Sequence, residues 1–216
     1  MYDKTVQYWN KVFQSEELRI PSSPTLGIEE LDRSLDWLIH PGDSVLDFGC
    51  GNGTMLLLAG LRGAKRMVGI DLSEEGIATA EARSEHVPGS YDFHVGGVDV
   101  LATLPDASFD AIILSNILDN LTPEDSIQLL DDIHRLMRPD GRMFWKLNPH
   151  LTASDIERYD IRVIEGDLLD DGLLLWNRSS DEWIATGKRW FHLVQEGTVY
   201  FPQHDATNRI FHWIKV

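Results

Sequence analysis

Val45-Leu46-Asp47-Phe48-Gly49-Cys50-Gly51-Asn52-Gly53-Thr54 is the stretch on which the fold turns. An apolar run ends in an acid, and three alternating glycines then open a helical segment, Met55 to Leu61. This is a strand entering a turn too tight for side chains. The spacing therefore predicts a ligand lying on the backbone N–H groups and on the start of the next helix. A second acid, Asp71, closes the next apolar strand, Met67-Val68-Gly69-Ile70. It follows the glycines by about twenty residues, the separation at which a β-α-β unit presents a carboxylate to ribose hydroxyls. The pattern implies a cofactor that contains a nucleoside.

The glycine spacing narrows the choice. Dinucleotide sites read G-x-G-x-x-G, with the third glycine admitting a helix over the pyrophosphate. Here the pattern is G-x-G-x-G, and Asp47 stands two residues before the first glycine. A carboxylate there sits badly beside a pyrophosphate and well beside a cationic ligand. S-adenosylmethionine fits, with a sulfonium, an ammonium and no phosphate. Two further motifs follow in order: Gly96-Gly97-Val98-Asp99-Val100 after a third strand (Tyr91–Val95), and Leu104-Pro105 with Ser108-Phe109-Asp110 leading into a fourth (Ala111–Leu114). At these residues the chain resembles the class I S-adenosylmethionine-dependent methyltransferase superfamily, over roughly residues 40–148.

The resemblance implies roles for particular residues. Asp71 would hold the ribose hydroxyls and Leu72 would lie on the adenine face. Asp99 would accept from the adenine amino group, with the Val100 N–H meeting a ring nitrogen. Gly49 and Ser115 would line the methionine end through backbone groups, with Asp47 near the ammonium, and Cys50 and Gly51 of the turn would also meet the cofactor. Tyr8 and Trp9 would close over the cofactor. Cys50, the single cysteine, reads as a small buried residue inside the turn and not as a nucleophile. Alone, each acid has a plainer reading: Asp71 as a helix cap before Ser73-Glu74-Glu75, Asp99 as a loop acid. Their occurrence in order at three strand ends is what gives them weight.

Composition agrees with one domain. The 216 residues suffice for a core without metals or disulfides, and one cysteine suits a reducing compartment. No apolar run is long enough to cross a bilayer, and no leader-like N-terminus precedes the domain, so a cytoplasmic protein is expected. The formal charge of −16, with basic residues scattered, argues against nucleic acid and anionic membranes as partners. A monomer or a homodimer is expected.

Along the chain the pattern predicts an α/β, Rossmann-like seven-stranded sheet. It is expected to be mostly parallel, with an antiparallel C-terminal strand, helices on both faces and an extra β-hairpin. Residues 1–40 form a helical cap, with an amphipathic segment over 4–14 and a helix from Ile28 to Ile39; 41–148 form the cofactor core; 149–216 complete the sheet. Thr122-Pro123 opens a helix through Met137, and Pro139-Asp140-Gly141 turns into strand five, Arg142–Leu147. Residues 161–178 read as the hairpin, with 161–165 and 173–177 as its strands. Ser179-Ser180-Asp181-Glu182 reads as a capping box, followed by strands over 191–201 and 208–216.

Methyl transfer needs alignment and, for hydroxyl or acidic carbon acceptors, a base. No residue announces itself as that base; Asp119, His150, Tyr200 and His204 are weak candidates. Ser115-Asn116-Ile117-Leu118 lacks the Pro-Pro-aromatic text of nucleobase and glutamine methylators, and no acid for a metal ion ends strand four. The expectation is a metal-independent transfer from S-adenosylmethionine to a small molecule, leaving S-adenosylhomocysteine. The alternatives are a protein substrate, a non-catalytic cofactor-binding module, or a nicotinamide enzyme on the same fold.

Overall fold

The computed structural model describes residues 2–216. Its main sheet contains β1 (Ser44–Phe48), β2 (Arg66–Asp71), β3 (Ser90–Val95), β4 (Phe109–Ser115), β5 (Met137–Leu147), β9 (Phe191–Phe201) and β10 (Ala206–Lys215). They lie in the order β3-β2-β1-β4-β5-β10-β9. The first five are mutually parallel, and β10 runs antiparallel to both its neighbours. The strand order reverses between β1 and β4, and an α/β sheet opens a crevice at the carboxyl ends of its strands at such a point.

Alternation along the strands divides the core in two. Leu46, Val68, Leu114 and Trp145 face one layer with α6 (Pro123–Leu136) and α8 (Ser180–Gly187); Val45, Met67, Ile113 and Phe144 face the other, with α2 (Glu29–Leu38) and α3 (Thr54–Leu61). Both faces of these strands are apolar, as a helix-covered parallel sheet requires. On the first layer Trp145, Trp183 and Trp213 are fully buried and meet ring to ring, Trp145 lying 4.7 Å from Trp213 and 6.3 Å from Trp183. Gly187 lets α8 approach them, since a Cβ there would stand 2.6 Å from the Trp213 ring.

Helix caps fall where the sequence places them. The Thr122 hydroxyl accepts from Asp125 N–H, and Ser179 and Glu182 form a reciprocal capping box. Elsewhere the structure corrects the expectation. Pro139-Asp140-Gly141 does not precede β5 but lies within it as an irregularity: pairing with β4 jumps from Phe109↔Met137 to Ala111↔Arg142, with Asp140 at φ 60°. The extra hairpin is a three-stranded meander, β6 (Arg162–Glu165), β7 (Leu168–Asp170) and β8 (Leu174–Trp176), in the order β6-β7-β8. The two segments expected to pair are separated by β7, which had been read as their turn. Three short helices were also unforeseen: α5 (Val98–Leu101), a 3-10 turn at Leu118–Asn120 and α7 (Ala153–Arg158).

α1 (Asp3–Ser15) lies across the mouth of the crevice and buries none of its residues fully. Polar ties hold it. Tyr2 donates to Asp125, Lys4 pairs with Asp170 at 2.9 Å, Ser73 donates to Asn10 at 2.6 Å and Gln14 to Glu75 at 2.8 Å.

Candidate active site

The carboxyl ends of β1, β2, β4 and β5 open into a cavity of about 480 Å³, roofed by Val6, Trp9 and Phe13 from α1 and by Tyr2 just before it. Gly49, Gly51, Asp71, Leu72, Asp99 and Ser115 all line it. Asp47, Cys50 and Val100 do not, and Tyr8 is half exposed on the other side of α1.

The glycine turn works differently from the expectation. Its amides are already engaged: Gly49 and Cys50 donate to the Ile70 carbonyl at 2.8 and 3.1 Å, and Gly53 to that of Cys50 at 2.9 Å. Gly51 N–H donates to Asp71 Oδ2 at 2.7 Å, while Ser73 N–H takes Oδ1 at 2.8 Å. The turn therefore offers a ligand a flat surface and a fixed carboxylate, not a row of free donors. Burial pushes the Asp71 carboxyl up, against the lowering effect of those amide bonds. Gly51 sits at φ 51°, and a Cβ on it would stand 2.7 Å from the Phe13 ring, so roof and turn fit only through the missing side chain.

At the end of β3, Asp99 Oδ1 accepts from Gly97 N–H at 3.1 Å. The Val100 N–H, expected to face an adenine nitrogen, instead donates to the Gly97 carbonyl at 3.1 Å as α5 starts.

The floor was not foreseen. Lys146 of β5 stands beside Ser115 of β4 in register and lines the cavity. Asp47 and Asp119 lie beneath, at 2% and 0% exposure. Each has one oxygen without a partner. Burial first, then the neighbouring Asp71 charge, pushes the Asp47 carboxyl up to about 8, with Lys146 opposing. Burial raises Asp119 to about 6, against the Asn148 N–H that donates to it at 2.6 Å. Burial lowers Lys146, and the Asp119 and Asp47 charges oppose it. Beside them, Asn116, Asn120, Asn148 and Asn208 form a chain of side-chain amide bonds at 2.9–3.2 Å. One sign of Lys146 was open to inspection: it is the lone charge inside the apolar run Met143–Leu147.

The other base candidates lie apart from the cavity. His150 and His204 are exposed, and the exposed Tyr200 donates to Asp205 at 2.8 Å. Asp119 is enclosed beneath the floor. A second chamber of about 440 Å³ adjoins the first through Asn120. It is walled by Tyr8, Asn148, Pro149, Leu151 and the β7–β8 turn of the meander. Among the described residues no cluster of three or more His, Cys, Asp or Glu gathers as a metal ion would require.

Residues 45–141 match the model of a family described as a methyltransferase domain. A ribosomal protein L11 methyltransferase of Streptococcus pneumoniae is 32% identical over 108 residues, 50% of this chain and 32% of that protein; the chain thus spans under a third of this curated relative's length. A solved S-adenosylmethionine-dependent methyltransferase of Methanosarcina mazei superposes with a TM-score of 0.72 at 17% identity, covering 85% of this chain and 97% of that one. The 1,6-didemethyltoxoflavin-N1-methyltransferase of Burkholderia thailandensis, solved with 1,6-didemethyltoxoflavin and S-adenosylhomocysteine bound, gives 0.70 at 18%, covering 100% and 85%. Residues 45–141 thus resemble a methyltransferase domain, and the chain shares the fold of these solved methyltransferases.

Proposed function

We propose that the chain transfers a methyl group from S-adenosylmethionine to a small-molecule nucleophile, releasing S-adenosylhomocysteine. The residues fit the cofactor. Asp71 presents a fixed carboxylate where ribose hydroxyls would lie, Leu72 an apolar surface for adenine, and Asp99 an acceptor for its amino group. The unpartnered oxygen of Asp47 suits a cation nearby, directly or through water. Cys50 and Val100 would serve by shaping the turn and α5, and Tyr8 by walling the acceptor side. When bound, S-adenosylmethionine supplies an electrophilic methyl on a sulfonium leaving group. The protein's share is orientation, on the order of 7–11 kcal/mol of barrier in well-aligned systems.

The observation that carries a small acceptor is the second chamber. At about 440 Å³ it is within the range of small-molecule pockets, meets the first at Asn120, and is bordered by the meander and by Tyr8 of α1. The Burkholderia neighbour, solved with 1,6-didemethyltoxoflavin and S-adenosylhomocysteine bound, is a methyltransferase with a small-molecule acceptor on the same fold. The name of the Streptococcus relative favours a protein substrate, but its match covers only 50% of this chain and 32% of that protein. Ser115 and Asn116 bring no acid to the end of β4, in keeping with a transfer that needs no metal ion.

Calorimetric titration with S-adenosylmethionine, S-adenosylhomocysteine and NAD tests the cofactor. Saturable binding of the first two and none of the third is expected. Binding of NAD alone, or of no ligand, overturns the assignment.

A further inference from the structure

We infer that the Lys146 amine receives the proton of the methyl acceptor, and that the charge of a bound sulfonium is what frees that amine to act. This rests on the cofactor reading above and goes beyond it, by naming a base and its control. The acceptor class it implies is a neutral nucleophile carrying its own hydrogen, an N–H or an O–H.

Position comes first. Lys146 leaves the sheet beside Ser115, one strand beyond the point where β1 and β4 diverge. It lines the first cavity together with Ser115, Asn116 and Asn120, and Asn120 also borders the second chamber. Among the described residues lining the cavity it is the one cationic side chain; the other charged groups are Asp71, Asp99 and Asp125.

Its partners come second. The ammonium influences Asp119 and Asp47 through charge without a hydrogen bond to either. It lies 5.3 Å from the centre of the Phe201 ring. A largely buried cation without a protein hydrogen bond loses its proton more readily when a second cation arrives. The groups that face it are Asp47 from β1, with Asp71 behind, Asp119 from the 3-10 turn, with Arg209 of β10 beyond. Asp125 and Tyr2 close the far wall.

The proton balance then closes. With the sulfonium in place Lys146 carries a free amine. As the acceptor's N or O bonds to the methyl carbon, the carbon–sulfur bond breaks and sulfur keeps the electron pair. The acceptor's N–H or O–H bond breaks, and its proton moves to Lys146 Nζ. Sulfur is then neutral, so the ammonium is tolerated again, and it sheds that proton to solvent only when the next S-adenosylmethionine binds. Lys146 is thus a base only while the cofactor is charged.

The test compares S-adenosylmethionine with S-adenosylhomocysteine, which lacks the sulfonium charge, and needs no acceptor. Each is titrated calorimetrically between pH 7 and 9 in two buffers of different ionisation enthalpy, which reports the protons released on binding. S-adenosylmethionine should release more, by up to one proton, and Lys146→Met should remove the difference while Asp47→Asn retains it. Lys146→Arg keeps a charge that cannot be shed, so it should weaken S-adenosylmethionine relative to S-adenosylhomocysteine by about tenfold or more, one pKa unit's worth. It also covers the case in which Lys146→Met fails to fold. Equal release by the two ligands, or a difference that survives in Lys146→Met, overturns the inference. Failure of both to bind the wild-type protein overturns the cofactor reading instead.

Discussion

The two ends of the molecule solve different problems. From β1 to β4 the chain is regular. Each strand ends in a short turn carrying one functional group, and the turn's amides are spent on holding that group still, as Gly51 and Ser73 hold Asp71. From Asn148 to Asn177 the chain is one short helix and three short strands, and β6 is exposed along its length. It is anchored through buried rings such as Trp183, and through Asn177, which holds both the N–H and the carbonyl of Leu151 at 2.8 Å. The first region binds by a fixed template; the second encloses by packing. A cofactor shared across a fold suits the template, and an acceptor particular to one protein suits the packed enclosure.

Four substitutions probe that contrast. Trp183→Ala should have the largest effect: removal of a fully buried ring that packs on Trp145 and Trp176 costs about 3–5 kcal/mol in urea unfolding. Cofactor affinity within threefold of wild type in that variant would show that the template stands alone; a larger loss would merge the two regions.

Asp47→Asn should stabilise the ligand-free protein. The Asp47 carboxyl titrates near 8 when folded and near the usual carboxylate value of about 3.9 when unfolded, so between those values the folded state binds more protons and stability falls as pH rises. Removing the group should therefore gain nothing below pH 4 and a growing amount up to pH 8, on the order of 2–4 kcal/mol at pH 7. Thermal unfolding across that range checks it; a gain that shrinks toward pH 8 would contradict the sign.

Asp71→Ala should weaken S-adenosylmethionine binding by on the order of 1.5–3 kcal/mol, the value of a hydrogen bond to a charged group, and loosen the glycine turn as well. Unchanged affinity would mean that the ribose partner is misassigned. Lys4→Ala should do least. The pair with Asp170 joins α1 to the meander, but its lysine is 65% exposed and such pairs contribute about 0–1 kcal/mol. A binding loss beyond about fivefold would make the roof's polar ties more than surface contacts.

Much of the template was legible because it is local. β1 is legible as a run of apolar side chains ending at Asp47 and Gly49, and α8 from its capping box. What failed was long-range. The occupation of the Gly51 N–H by Asp71 joins residues twenty apart, and no spacing rule distinguishes it from an amide left open for a ligand. β7 has three residues among acids and glycines and is a strand because β6 and β8 flank it. The asparagine chain depends on β4, β5 and β10 arriving at one place, which the sequence records only as separate polar residues at strand ends.

The placement of the tryptophans has an optical consequence. Trp145, Trp183 and Trp213 are sealed in the core, so their emission reports folding and stays constant while the fold holds. Trp9 is 38% exposed, faces the cavity and stacks on Phe13 at 5.7 Å. A purine entering beneath it meets the one indole at the mouth, and quenching of that red-shifted component gives a titration signal without any label.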